Sequence, residues 1–159
     1  MRFILLLIVA LCSFAAQLNK ENIKVQATSF YASDAKNIIK LDGNVKLDMG
    51  DDYLTAKKLL IKLKVINNRK TPVKFEATGG VKLNIKTKSK EFLCQGDKIL
   101  FKPIDDVYVI TGDGFVHDIT EQKELHGEKI IIDVVKGEAT IVGTKNKPVK
   151  FIMKFDTKK

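Results

Sequence analysis

Val73-Lys74-Phe75-Glu76-Ala77-Thr78-Gly79-Gly80-Val81-Lys82-Leu83-Asn84-Ile85 alternates apolar or small residues with polar ones, and only Gly80 is neutral to the pattern. Successive side chains of a β-strand point to opposite faces, so a period of two over this length reads as one long half-buried strand. Ile39, Leu41, Gly43, Val45 and Leu47 repeat the pattern against Lys40, Asp42, Asn44 and Lys46, and Val149, Phe151, Met153 and Phe155 repeat it near the end. Loops are expected at 67–72, 102–106 and 145–148, with Pro72 and Pro148 opening strands, where a missing N–H is tolerated. After residue 16 helical periodicity is hard to find, and the fold class expected is all-β and antiparallel.

The strands are organised as a tandem repeat. Leu41-Asp42-Gly43, Ala77-Thr78-Gly79, Ile110-Thr111-Gly112 and Ile141-Val142-Gly143 place a glycine at steps of 36, 33 and 31 residues. A second word follows the first three glycines: Leu54-Thr55-Ala56, Cys94-Gln95-Gly96 and Leu125-His126-Gly127, each continuing through two polar residues to Leu59, Ile99 or Ile130. Val25 to Phe30 looks like an earlier copy. In each copy the inward position steps by two up to the small residue and then by three, as in Leu54, Ala56, Leu59, Ile61. A strict strand cannot step by three, so a bulge or corner is expected at Ala56, Gly96 and Gly127, where a small side chain relieves crowding. Gly43, Gly79, Gly112 and Gly143, read as mid-strand on the apolar face, weaken a strand unless something approaches closely there.

Residues 1–16 differ from the rest. Arg2 precedes an unbroken apolar run from Phe3 to Leu11, and Ser13-Phe14-Ala15 closes it with small residues two apart. This reads as a secretory signal peptide cleaved near Ala15/Ala16, with residues 17–159 forming a single domain in the periplasm. The run is shorter than the roughly 20 residues a bilayer span needs. Cys12 raises a lipoprotein alternative, against which Leu11 stands where a small residue is wanted. Cleavage leaves Cys94 alone, so no intramolecular disulfide is expected.

The 159 residues are 45 % hydrophobic and 30 % charged, enough for one packed core and against general disorder. Lys and Arg outnumber Asp and Glu 28 to 19, which implies an anionic partner. Lysines 46, 57, 58, 82, 98 and 129 fall on the polar parity. Of these Lys57, Lys58, Lys98 and Lys129 are candidates for attracting phosphate, against the plain reading of a solvated outer face. His117 and His126 have no metal-ligand spacing, and Cys94 reads as a small buried hydrophobe rather than a nucleophile. Asp51-Asp52, Asp105-Asp106 and Asp113 read as turn or strand-end residues. No catalytic motif, metal site or cofactor is expected, and export together with the lack of aromatics among the lysines weighs against a nucleic-acid partner.

The inward positions Ile39, Leu41, Val45, Leu47, Leu59, Ile61 and Phe75, continued by Val81, Leu83, Phe92, Ile99, Phe101, Ile130 and Ile132, could line a groove that solvates hydrocarbon. They could equally fill a β-sandwich core, making this a structural or interaction protein of the envelope.

The words Leu41-Asp42-Gly43-Asn44-Val45 and Ala77-Thr78-Gly79-Gly80-Val81, with the corners at Ala56, Gly96 and Gly127, resemble the LptA/OstA-like family of periplasmic lipopolysaccharide-export bridge proteins over roughly Ile23 to Met153. One unit departs: Gly114 stands where the others have Val45 and Val81. The resemblance implies a twisted antiparallel β-jellyroll, or β-taco, whose apolar interior holds the acyl chains of lipid A. It also implies edge-strand pairing with inner- and outer-membrane export components, head-to-tail self-association, and no catalysis. A membrane-tethered LptC-like partner of the same fold is the alternative within the family, and the cleavable leader is expected to favour the soluble bridge.

Overall fold

The computed structural model describes residues 23–86 and 88–155, so the leader and its cleavage site lie outside the described residues. Ten strands follow one another: β1 (Ile23–Gln26), β2 (Ser29–Ser33), β3 (Ile38–Met49), β4 (Asp52–Ile66), β5 (Arg69–Lys86), β6 (Glu91–Lys102), β7 (Val107–Asp118), β8 (Lys123–Asp133), β9 (Glu138–Val142) and β10 (Lys150–Met153). All pair antiparallel in one sheet of order β1-β3-β4-β5-β6-β7-β8-β10. Both edges are split strands: β1 and β2 share the outer side of β3, and β9 and β10 share that of β8. The sheet curls without closing into a barrel, as the sequence led us to expect of an all-β antiparallel chain.

The curl comes from one line of register shifts. They fall between Asp42 and Val45, Thr55 and Lys58, Thr78 and Val81, Gln95 and Lys98, and Thr111 and Gly114. Bulges re-aim a strand, and bulges aligned across neighbouring strands bend the whole sheet along that line. Each long strand therefore has two arms. The first wall holds the arms that reach the corner at Asp42, Lys58, Thr78, Lys98, Thr111 and Lys129, and the second holds those that reach it at Val45, Thr55, Val81, Gln95, Gly114 and Gly127.

The two glycine sets do different work. Gly43, Gly79 and Gly112 have φ of +83°, +86° and +77°, each followed by a second left-handed residue, Asn44, Gly80 or Asp113. A Cβ on these three would sit 2.5 Å from Thr28 Oγ1, 2.6 Å from Lys57 Cβ and 2.4 Å from Asp97 Oδ2. The neighbouring bulge residue thus lies across each glycine. Because Thr28, Lys57 and Asp97 are exposed, the open side of these glycines faces outward rather than toward the apolar face as the sequence reading had it. Gly96 and Gly127 face inward: a Cβ there would meet Ile110 Cγ2 at 2.7 Å and Ile141 Cγ2 at 2.4 Å. In the preceding unit Ala56 keeps its Cβ, and the residue corresponding to Ile110 is the small Ala77.

Several expectations need correction. Gly143 lies beyond the end of β9, where the chain turns and Thr144 N–H donates to the Lys147 carbonyl at 2.8 Å. The loop expected at 67–72 shrinks to Asn67-Asn68, whose φ values of 50° and 60° suit a two-residue hairpin turn. Pro72 consequently lies inside β5 beside an irregularity at Lys62/Leu63, where its lost N–H is tolerated. Asp113 sits mid-strand in a bulge, a short polar residue that tolerates left-handed backbone. Val149, Phe151 and Phe155 are exposed, because β10 is a four-residue edge strand with no neighbour beyond it. Gly114 keeps the register of its relatives: it pairs with Gly127 as Val45 pairs with Ala56, and Ile130 fills the space beside it.

Candidate functional site

Strand pairing lays the inward side chains in continuous rows. On the first wall one row runs Phe30, Leu41, Leu59, Ala77, Ile99, Ile110, Ile130, Ile141. A second, nearer the wall's free margin, runs Ile39, Ile61, Phe75, Phe101, Tyr108, Ile132. The second wall answers with Val25, Leu47, Leu54, Leu83, Cys94, Val116 and Leu125. Every residue read from the sequence as groove-lining belongs to this one apolar cluster, with Ile39, Phe75, Phe92, Phe101 and Ile132 partly exposed and the rest buried.

The interior is not uniform along its length. In the middle Leu47, Leu54 and Leu83 close on Leu59, Phe75, Ile99, Phe101 and Tyr108, leaving a cavity of about 20 Å³. Phe101 stacks on Tyr108 at 4.3 Å and lies 6.0 Å from Phe75, so the centre is filled by the protein's own side chains. Toward the amino-terminal edge the walls leave a recess of about 530 Å³ lined by Val25, Ala27, Phe30, Ile39, Leu41 and Ile61. Toward the carboxy-terminal half a second recess of about 560 Å³ opens among Ile85, Phe92, Cys94, Tyr108, Val116, Leu125, Ile132 and Ala139. Either volume is in the range of a small-molecule site.

The sequence reading missed much of the second recess. Tyr108, Val116 and Leu125 share the parity of inward neighbours and were legible, whereas the polar rim of Asp52, Lys86, Lys90, Asp106, Asp133 and Glu138 was not. Among the described residues Asp52 and Asp118 are the buried carboxylates. Asp52 accepts the Lys86 N–H at 3.0 Å and Asp118 accepts the Glu121 N–H at 2.9 Å, so both tie down turns at the margin of the second wall. Burial pushes the Cys94 thiol up to about 12, which leaves it protonated and a poor nucleophile at neutral pH. Tyr108 is likewise raised, first by burial and then by the charges of Asp106 and Asp52.

The four candidate lysines are not gathered at one place. Lys58 lies 3.5 Å from Asp42 and Lys98 2.9 Å from Glu76, both pairs across neighbouring strands on the outer face. The stem of Lys57 covers Gly79, and Lys129 is exposed beside the corner. His126 lies against Glu124 and Phe115, and among the described residues no group of three or more His, Cys, Asp or Glu side chains is placed to hold a metal ion.

Comparison with known proteins bears on this geometry. The crystal structure of LptH from Pseudomonas aeruginosa, described as the LptA-homologous periplasmic component of the conserved lipopolysaccharide transport device, superposes with a TM-score of 0.71. The likeness covers 84 % of this chain and 95 % of that one at 17 % identity, which establishes the shared fold. No curated protein sequence matches this chain. The family described as LptA/(LptD N-terminal domain) LPS transport protein matches residues 24–138, the span that carries the corner glycines and nearly all of the apolar rows. The chain belongs to that lipopolysaccharide-transport family.

Proposed function

We propose that this protein is a non-catalytic periplasmic carrier that shields the acyl chains of lipid A between its two walls and bridges inner- and outer-membrane export complexes. The observation that carries the reading is the set of unbroken inward apolar rows, which open as recesses toward both ends of the interior. Each acyl methylene moved from water into such surroundings gains about 0.8 kcal/mol, so several chains outweigh any single polar contact. With about 20 Å³ free in the middle, chains that run the length of the interior need the walls to part, and the line of bulges is where the sheet can flex. The split edges β1/β2 and β9/β10 offer unpaired backbone to a neighbouring sheet, which supports end-to-end assembly with further copies and with export partners.

Photocrosslinkers at Phe75 and Phe92 should trap lipopolysaccharide in cells, and one at outward Lys46 should not. Trapping at Lys46 alone would overturn the carrier reading. The filled centre favours a second reading, a structural envelope protein that works through its edges. The absence of adducts at both inward sites would leave that reading standing.

A further inference from the structure

The free margin of the first wall differs from that of the second. Its hairpin ends carry exposed aliphatic side chains: Val65 and Ile66, then Ile104, then Val134 and Val135, at 61, 37, 62, 50 and 78 % exposure. The β4–β5 hairpin also runs past its neighbours, since β3 pairs with β4 only as far as Lys62 whereas β4 continues to Ile66. At the base of this projection lies a recess of about 690 Å³ walled in part by Ile38, Ile66 and Ile104. Lys36, Lys62, Lys64, Lys74 and Lys102 surround it against a single carboxylate, Asp105. Lys74 is held by Glu76 at 3.2 Å, while among the described residues the other four lysines make no ion pair. Because Ile39, Ile61, Phe75 and Phe101 point inward, Ile38, Lys62, Lys74 and Lys102 point outward by alternation, so the lysines face away from the interior, whose margin the recess meets at Leu63 and Val73.

We propose that this end of the first wall is a foot that docks on an anionic membrane surface, with Ile66 and Ile104 among the lipid headgroups and the lysines on their phosphates. A protein partner binds through a compact apolar centre. Here Ile38, Ile66 and Ile104 share one recess while Val65, Val134 and Val135 stand on hairpin tips outside it, and five lysines against the one carboxylate of the lining make the site complementary to an anionic headgroup layer. Long lysine stems reach phosphates without fixed geometry, and each lysine near such a surface strengthens binding roughly fivefold.

The test is sedimentation with vesicles of phosphatidylcholine alone and of equal parts phosphatidylcholine and phosphatidylglycerol, using the protein as its cell processes it. Every variant then shares one N-terminus. Binding should require phosphatidylglycerol. Lys64→Glu with Lys102→Glu should weaken it by at least about tenfold, while Lys46→Glu with Lys82→Glu, an equal change of net charge on the outer face of the second wall, should weaken it by no more than about threefold. Ile66→Ser with Ile104→Ser should weaken it at constant charge, a second readout on exposed positions that leaves the fold intact. Equal losses for the two lysine pairs, equal binding to both vesicle types, or capture by poly-glutamate without vesicle binding would overturn the foot.

Discussion

The corner and the interior it encloses are specified in different ways. At the corner, backbone conformation and sub-van-der-Waals clearances leave little choice of residue: Gly43, Gly79 and Gly112 combine positive φ with a neighbour pressed across them. Inside the walls any apolar side chain of suitable size satisfies the rows, and the space left over ranges from about 20 Å³ in the middle to about 560 Å³ at one end. The shape of the molecule is thus fixed at the bend, and the capacity of the interior is set by how far the arms stand apart. On the carrier reading, such a molecule changes its contents without changing its fold.

Adjacent glycines of one word separate close approach from backbone conformation. Gly79→Val places a branched side chain at φ +86° and 2.6 Å from Lys57 Cβ, and should cost about 3 kcal/mol or more in chemical denaturation. Gly80, at φ +57°, has nothing within 4 Å of a Cβ, so Gly80→Ala should cost only about 1 kcal/mol. Similar costs at the two sites would show that the close approach is unimportant and that backbone conformation alone sets the corner.

The inner glycines are matched to the side chains they face. Gly96→Ala should destabilise by about 1–2 kcal/mol, since its Cβ would meet Ile110 Cγ2 at 2.7 Å. Combined with Ile110→Ala, it reproduces the Ala56/Ala77 pair of the preceding unit, and the double-mutant cycle should show a favourable coupling of about 1 kcal/mol. Strict additivity would mean that the small residue and its large neighbour are not matched.

These particulars show why some of the fold was legible and some was not. The step of three at Ala56, Gly96 and Gly127 is a break in a period of two, so the bend could be read directly from the spacing. The outward aim of Gly43, Gly79 and Gly112 could not, because a glycine has no side chain to report its face and two left-handed residues in succession reset the parity. Phe151 and Phe155 look like core by alternation and are exposed, since alternation does not say whether a strand has a neighbour on both sides. Inwardness of Leu59 or Ile99 was likewise legible, whereas the free volume beside them depends on the distance between walls far apart in sequence.

On the outer face the ion pairs contribute little. Lys98 at 2.9 Å and Lys74 at 3.2 Å hold the Glu76 carboxyl below the usual glutamate range of 4.5, the Lys98 hydrogen bond outweighing the cost of partial burial. A folded value below the unfolded one means that the pairing stabilises fully above the unfolded value and is lost as pH falls through the folded one. Stability measured downward from neutral pH should therefore fall less steeply in Glu76→Gln, with a difference under about 1 kcal/mol because the site is partly solvated. An unchanged acid profile would mean that the pairs contribute nothing measurable.

Whether the walls part around lipid is the question on which the carrier reading rests. Spin labels at Lys40→Cys on the outer face of the first wall and Tyr53→Cys on that of the second report the spread of the arms by pulsed dipolar spectroscopy, both positions being exposed and clear of the interior. Addition of lipopolysaccharide should move the distance distribution to longer separation, and washing the lipid away should restore it. A distribution that stays unchanged while lipopolysaccharide is bound would contradict an interior that opens to acyl chains.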